Sequence, residues 1–227
     1  MTKEDVRESG TAARISACVC NILLVVLTVL GMVSFFTRGG DGNMSVVGSR
    51  CFVFFTVDSN ILAAVAAAVC LAWELRGRKP PRAAAAFKLT GAVSVAVTFF
   101  TVLLFLGPVF GFRGMYAGVN FFMHLVSPLL AMISVCFFEF RPQLRFRSIF
   151  LGLLPTVVYG AVYLTMVVLL RKWMDFYGFN MGGMWPLSFA LMLLATWLLS
   201  LLLWAVRRAV GRREARKTGI APSGIAP

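Results

Sequence analysis

Long apolar runs broken by short basic segments set the plan of this chain. Six runs of about 22 residues, at 15–36, 52–73, 87–108, 119–140, 149–170 and 185–206, are each long enough to cross a ~30 Å hydrocarbon core at ~1.5 Å per residue. The pattern predicts an all-α polytopic membrane protein, a bundle of six transmembrane helices. The first run is too long for the apolar core of a signal peptide, and no small-x-small cleavage site follows it, so it is expected to stay as a signal anchor. The chain then divides into a head at 1–14, a six-helix domain at 15–206 and a basic tail at 207–227 that is expected to be disordered. The tail closes on two copies of GIAP, at 219–222 and 224–227, a low-complexity ending expected to be disordered.

Composition narrows the function. The chain is 59% hydrophobic and only 14% charged, with a mean hydropathy of +0.85, whereas a soluble domain carries about 25% charged residues. No segment between the runs exceeds roughly 21 residues, which is too short for a soluble catalytic domain. Chemistry is therefore expected inside the bundle or at its rim. The net charge of +13 does not mark a nucleic-acid binder, because the basic residues are spread over the ends of the runs rather than gathered on one soluble face.

Their placement predicts topology instead. With the N-terminus inside, 17 of the 22 Lys and Arg residues fall on the inner side, against five outside: Arg38, Arg50, Arg113, Arg171 and Lys172. Both termini are expected in the cytoplasm. Trp73, Trp173, Trp185 and Trp204 fall at run ends, where indole favours the headgroup level. The basic residues from Arg207 to Lys217 are expected to attract anionic lipids, at about 1 kcal/mol each.

The five cysteines (Cys18, Cys20, Cys51, Cys70 and Cys136) lie in or beside runs and read as small packing residues, neither a disulfide framework nor a metal set. One histidine rules out a His-rich metal centre. There is no phosphate-binding loop, dinucleotide fingerprint, nucleophile elbow or H-E-x-x-H pair, so no cofactor is implied.

Polar residues inside apolar runs carry the remaining information, since a bilayer tolerates them only where they face the bundle interior. In the second run, Thr56, Ser59 and Asn60 share one helical face at i, i+3 and i+4, while Asp58 lies roughly 200° around the axis from Thr56. In the fourth run, Asn120, His124, Ser127 and Pro128 form a stripe around the only histidine. Thr56 and His124 each fall about five or six residues below the outer boundary, roughly 6–8 Å deep, so they can meet if the two helices face each other. A hydroxyl beside a neutral imidazole is the minimum nucleophile and general-base pair. Asn120 or Asn60 is placed to orient the ring or to donate to an oxyanion. No carboxylate completes a triad. Each residue also has a structural reading: Thr56 bonded to its own i−4 carbonyl, Asn and Ser as interhelical glue, Pro128 as a kink, Asp58 bonded to Ser94 or Thr98. The stripe Pro155, Tyr159 and Tyr163 is placed to point hydroxyls into the same cavity, with the segment 171–184 and its Asp175, Tyr177 and Asn180 over the mouth.

The blocks Phe55-Thr56-Val57-Asp58-Ser59-Asn60 and His124-Leu125-Val126-Ser127-Pro128-Leu129-Leu130, with Pro155-Thr156-Val157-Val158-Tyr159, resemble signatures of a set of small six-span bacterial membrane proteins. That set is distantly similar to the eukaryotic family of the androgen-induced gene product and the androgen-dependent regulator of tissue factor pathway inhibitor. The resemblance implies an intramembrane threonine and histidine that hydrolyse fatty acid esters of hydroxy fatty acids, falling on Thr56 and His124. Asp58 departs from the uncharged residue expected in its block.

Two functions stand on these residues. One is a Thr-His hydrolase of lipid esters, with membrane lipids or another apolar small molecule as substrate. The other is a small transporter or lipid-binding protein in which Asp58 and His124 line a polar path, though no inverted repeat relates the halves. The spacings Gly107–Gly111 and Gly114–Gly118 add a candidate face for a homodimer.

Overall fold

The computed structural model describes residues 3–37 and 48–218. All regular structure among them is helical. Six helices are long and apolar enough to cross a membrane: α1 (Lys3–Thr37), α2 (Phe55–Leu75), α3 (Arg82–Phe110), α4 (Val119–Phe138), α5 (Ser148–Leu169) and α6 (Trp185–Thr218). The protein is a six-span, multi-pass helical bundle. Both described ends of the chain emerge at the same end of it, called here the terminal end.

α3 is the axle. Every residue from Lys88 to Thr98 is buried, and the helix packs against α2, α4, α5 and α6. The sequence permits this because from Thr90 to Thr98 the helix is built only of Thr, Gly, Ala, Val and Ser, small enough for backbones to approach. At Gly91 a Cβ would stand 2.9 Å from the Cα of Ala63, so α2 and α3 touch through their backbones. α5 and α6 are peripheral and leave most of their apolar surface to lipid.

The prolines shape the helices locally. Proline lacks an N–H and its ring crowds the carbonyl four residues back, so the preceding turn must widen or break. Pro108 follows a π-helical turn at Val102–Leu106, and Pro128 follows one at Phe122–Val126, each turn ending two residues before the proline. In the second, the Ser127 N–H reaches the Phe122 carbonyl, five residues back. The helix carries on through this turn, and His124 sits at its middle.

Three expectations need correction. The tail does not begin at 207 as a disordered segment: α6 continues to Thr218, because Arg207 is buried and donates to the carbonyls of Glu139 (2.6 Å) and Pro142 (2.9 Å). Lys88 is not a loop charge but lies buried in α3; removing it and Arg207 from the topology count still leaves 15 basic residues against five. The glycine spacings do not form a pairing face. The helix stops at Phe110, Gly111 and Gly118 turn the chain with φ of 89° and 53°, and Gly107 is covered by the ring of Phe112. The GIAP copies and Arg38 lie outside the described residues.

Candidate functional site

Thr56 is the second residue of α2. At this position no helical i−4 carbonyl exists for its hydroxyl to bond, which removes the usual sink for a membrane threonine. Its backbone is held from below: the Thr56 carbonyl accepts from Asn60 Nδ2 (2.7 Å) and Ser59 Oγ (3.1 Å). The side chain lines two cavities. One, about 60 Å³, is walled by Phe55, Val102, Tyr159, Tyr163 and Phe189 and is almost wholly apolar. The other, about 40 Å³, is shared by Thr56, Asn120, His124 and Tyr177, and holds two or three water molecules or the reacting end of a substrate, at roughly 10–15 Å³ each.

The structure thus brings Thr56 and His124 to one cavity. Asn60 Nδ2 also donates to the Met123 carbonyl at 3.1 Å, which docks α2 on α4 at the residue before His124. The imidazole is buried, and its Nδ1 lies 2.6 Å from the Met115 carbonyl. A carbonyl only accepts, so Nδ1 carries a proton, and in the neutral ring Nε2 then keeps its lone pair, the tautomer a general base needs. The ring is therefore oriented by the Met115 backbone, in the four-residue turn Phe112–Met115, and not by Asn60. Asn120 lines the cavity one turn before His124.

The connection between α5 and α6 closes the site at the end opposite the termini. Asp175 organises it by accepting from the N–H groups of Phe179 and Asn180 (both 2.9 Å) and from the Tyr163 hydroxyl (2.7 Å). Tyr163 in turn accepts from the Tyr177 N–H. The Tyr177 side chain packs among Tyr159, Tyr163, Phe176 and Phe179, with its ring centroid 4.7–6.4 Å from theirs. Its hydroxyl accepts from the Phe55 N–H at 3.1 Å, with the hydroxyls of Tyr159 and Thr56 nearby. Burial pushes Tyr177 up to about 12, offset in part by hydrogen bonding, so the phenol stays neutral. Tyr159 and Tyr163 line the apolar space, but their hydroxyls go to the Val53 carbonyl and to Asp175, not to a reacting centre.

Ser59, Asn60, Ser127 and Asp58 separate. Ser59 pairs with Thr98 on α3 (2.9 Å), Asn60 with α4, and Ser127 is buried at the foot of the π turn. Asp58 bonds neither Ser94 nor Thr98, since Ser94 donates to Thr90 and Thr98 is taken by Ser59. It is half-buried in a separate groove against α5, beside Pro155, Val158 and Trp173, so Asp58 and His124 do not line one path.

A second polar cluster, at the terminal end, has no counterpart in the sequence reading. Lys88 pairs with Glu139 at 3.5 Å and donates to Asn21 Oδ1; Asn21 Nδ2 bridges Glu139 (3.1 Å) and Glu74 (3.3 Å); Ser134 donates to Glu139 at 2.6 Å. All five are buried. Among the described residues no three His, Cys, Asp or Glu side chains gather around one point that would suit a metal ion. No protein-family model, curated protein or solved structure matches the chain.

Proposed function

We propose that the protein is an intramembrane threonine hydrolase that cleaves ester bonds of lipids. The observation that carries this reading is the cavity shared by the Thr56 hydroxyl and a His124 ring whose tautomer leaves Nε2 as the base. The likeness of the FTVDSN and HLVSPLL blocks to the threonine hydrolases of the androgen-induced family supports the same assignment. Thr56 Oγ attacks the ester carbonyl as His124 Nε2 takes its proton, and the imidazolium then protonates the leaving alcohol. This leaves acyl-Thr56. A water molecule, deprotonated by His124, attacks the acyl carbon, and the carboxylic acid departs as threonine regains its proton. Tyr177, on the wall of the same cavity, is a positioning residue for the Thr56 hydroxyl. The apolar space beyond Thr56 takes the acyl chain. The excess of Lys and Arg at the terminal end supports cytoplasmic termini, which puts the cavity at outer-leaflet depth.

The test is hydrolysis of a panel of long-chain fatty acyl esters by the purified, detergent-solubilised protein. Turnover of at least one ester, lost in Thr56→Ala and in His124→Gln but kept in Asp58→Asn, is the expected result. Turnover that survives Thr56→Ala in the same preparation would sink the assignment.

A further inference from the structure

The terminal end carries a cleft of about 690 Å³, far larger than the cavity at Thr56. Its rim is basic and comes from four separate parts of the chain: Arg14 on α1, Arg78 and Lys79 between α2 and α3, Arg141 between α4 and α5, and Arg213 and Lys217 on α6. Arg78, Lys79, Arg141 and Arg213 have no acidic partner among the described residues. Four such cations around one opening are suited to a phosphate.

The floor has the opposite sign. Glu139 and Glu74 both line it, and both are more than nine-tenths buried. Glu139 is matched by Lys88. Glu74 is not: among the described residues its carboxylate has no ion-pair partner. The Arg14 guanidinium beside it bonds the Glu74 backbone carbonyl instead, at 2.5 Å. The side-chain bonds it does receive, from Cys18 (3.4 Å) and Asn21 (3.3 Å), both fall on Oε2. A carboxylate that is buried, bordered by open space and lacking a cation is a place for a ligand's cation. One wall of the cleft is apolar, with Phe137 half-exposed to lipid, so the opening is continuous with the bilayer side of the bundle.

We propose that this cleft binds the headgroup of an aminophospholipid, with its ammonium on Glu74, its phosphate on the basic rim and its glycerol end along Phe137. An anionic headgroup without an amine satisfies the rim but leaves Glu74 unmatched. A headgroup with both charges, a few bonds apart, satisfies both. The site is separate from the Thr56 cavity and does not depend on how that cavity is read.

The test is native mass spectrometry of the full chain in delipidated detergent, titrated with short-chain phosphatidylethanolamine, its N-acetyl form and chain-matched phosphatidylglycerol. The amine-bearing lipid is expected to bind at least tenfold tighter than either of the others. Glu74→Gln should shrink that ratio to within twofold, and Arg141→Ala with Arg213→Ala should weaken phosphatidylethanolamine at least fivefold. Equal binding of the N-acetyl form to the unmodified protein overturns the proposal and needs no variant that might misfold. Displacement by free phosphoethanolamine at the concentration that suffices for the lipid overturns the lipid as the source.

Discussion

The two ends of the bundle both bury polar side chains, but in different ways. At the terminal end, Lys88, Glu139, Asn21 and Ser134 form a charged knot with its partners in direct contact, drawn from α1, α3, α4 and the residue after α4, with Glu74 at its edge on the cleft. At the other end, Thr56, His124, Asn120 and Tyr177 are uncharged or neutral and stand around open space. A knot of matched charges holds helices together, since breaking it strands a charge in low dielectric. Neutral groups around a void cost less to bury and leave room for a reacting molecule. The difference supports placing the proposed ester chemistry at the end where neutral hydrogen-bonding groups face a cavity.

This contrast can be broken most sharply at Thr56. Thr56→Ala should reduce ester turnover about 10⁶-fold, the scale seen when a nucleophile or its base is removed, with little change in thermal unfolding. The reverse holds at the knot. Lys88→Met should lower stability in detergent by about 3–5 kcal/mol by stranding Glu139, and the double variant Lys88→Met, Glu139→Gln should recover part of it. Turnover per folded molecule should be unchanged in both, as followed by thermal melts and activity on the same sample.

A smaller effect is expected where the two kinds of role meet. Tyr177→Phe removes a hydroxyl that accepts from Phe55 and faces Thr56, so turnover should fall about tenfold and stability by about 1 kcal/mol. Its pH dependence has a definite sign. The folded value near 12 lies above the ~10 of an unfolded tyrosine, so the stability linked to this proton is complete below pH 10 and is lost as pH climbs from 10 towards 12. The stability gap between the unmodified protein and Tyr177→Phe should therefore close over that range in alkaline melts. Smallest of all, Asp58→Asn should change turnover by less than twofold, since Asp58 faces its own groove.

Much of the fold was legible because apolar length alone demands six spans, and an observed helix overlaps each predicted run, three of them falling one to three residues short at one end. α6 ran further than its apolar run because Arg207 found carbonyl partners inside the protein, a tertiary contact that hydropathy does not encode. At the candidate site, Thr56 and His124 stood out as polar residues at matching depth in apolar runs, and Pro128 marked the turn that widens around the histidine. The Met115 carbonyl that fixes the ring was invisible, since a backbone acceptor has no side-chain signature. The terminal knot was hidden for a different reason. Its members come from α1, α2, α3, α4 and the residue after α4, where Lys88 and Glu74 look like ordinary boundary charges, and no spacing along the chain links them.

The central claim is that His124 activates Thr56. Treating the folded, detergent-solubilised protein with a fluorophosphonate probe and mapping the adduct by tandem mass spectrometry tests it most directly. The account predicts a single phosphonyl adduct on the oxygen of Thr56, formed by the unmodified protein and by Asp58→Asn and absent from His124→Gln. An adduct on another residue, or equal labelling of Thr56 in His124→Gln, would contradict it.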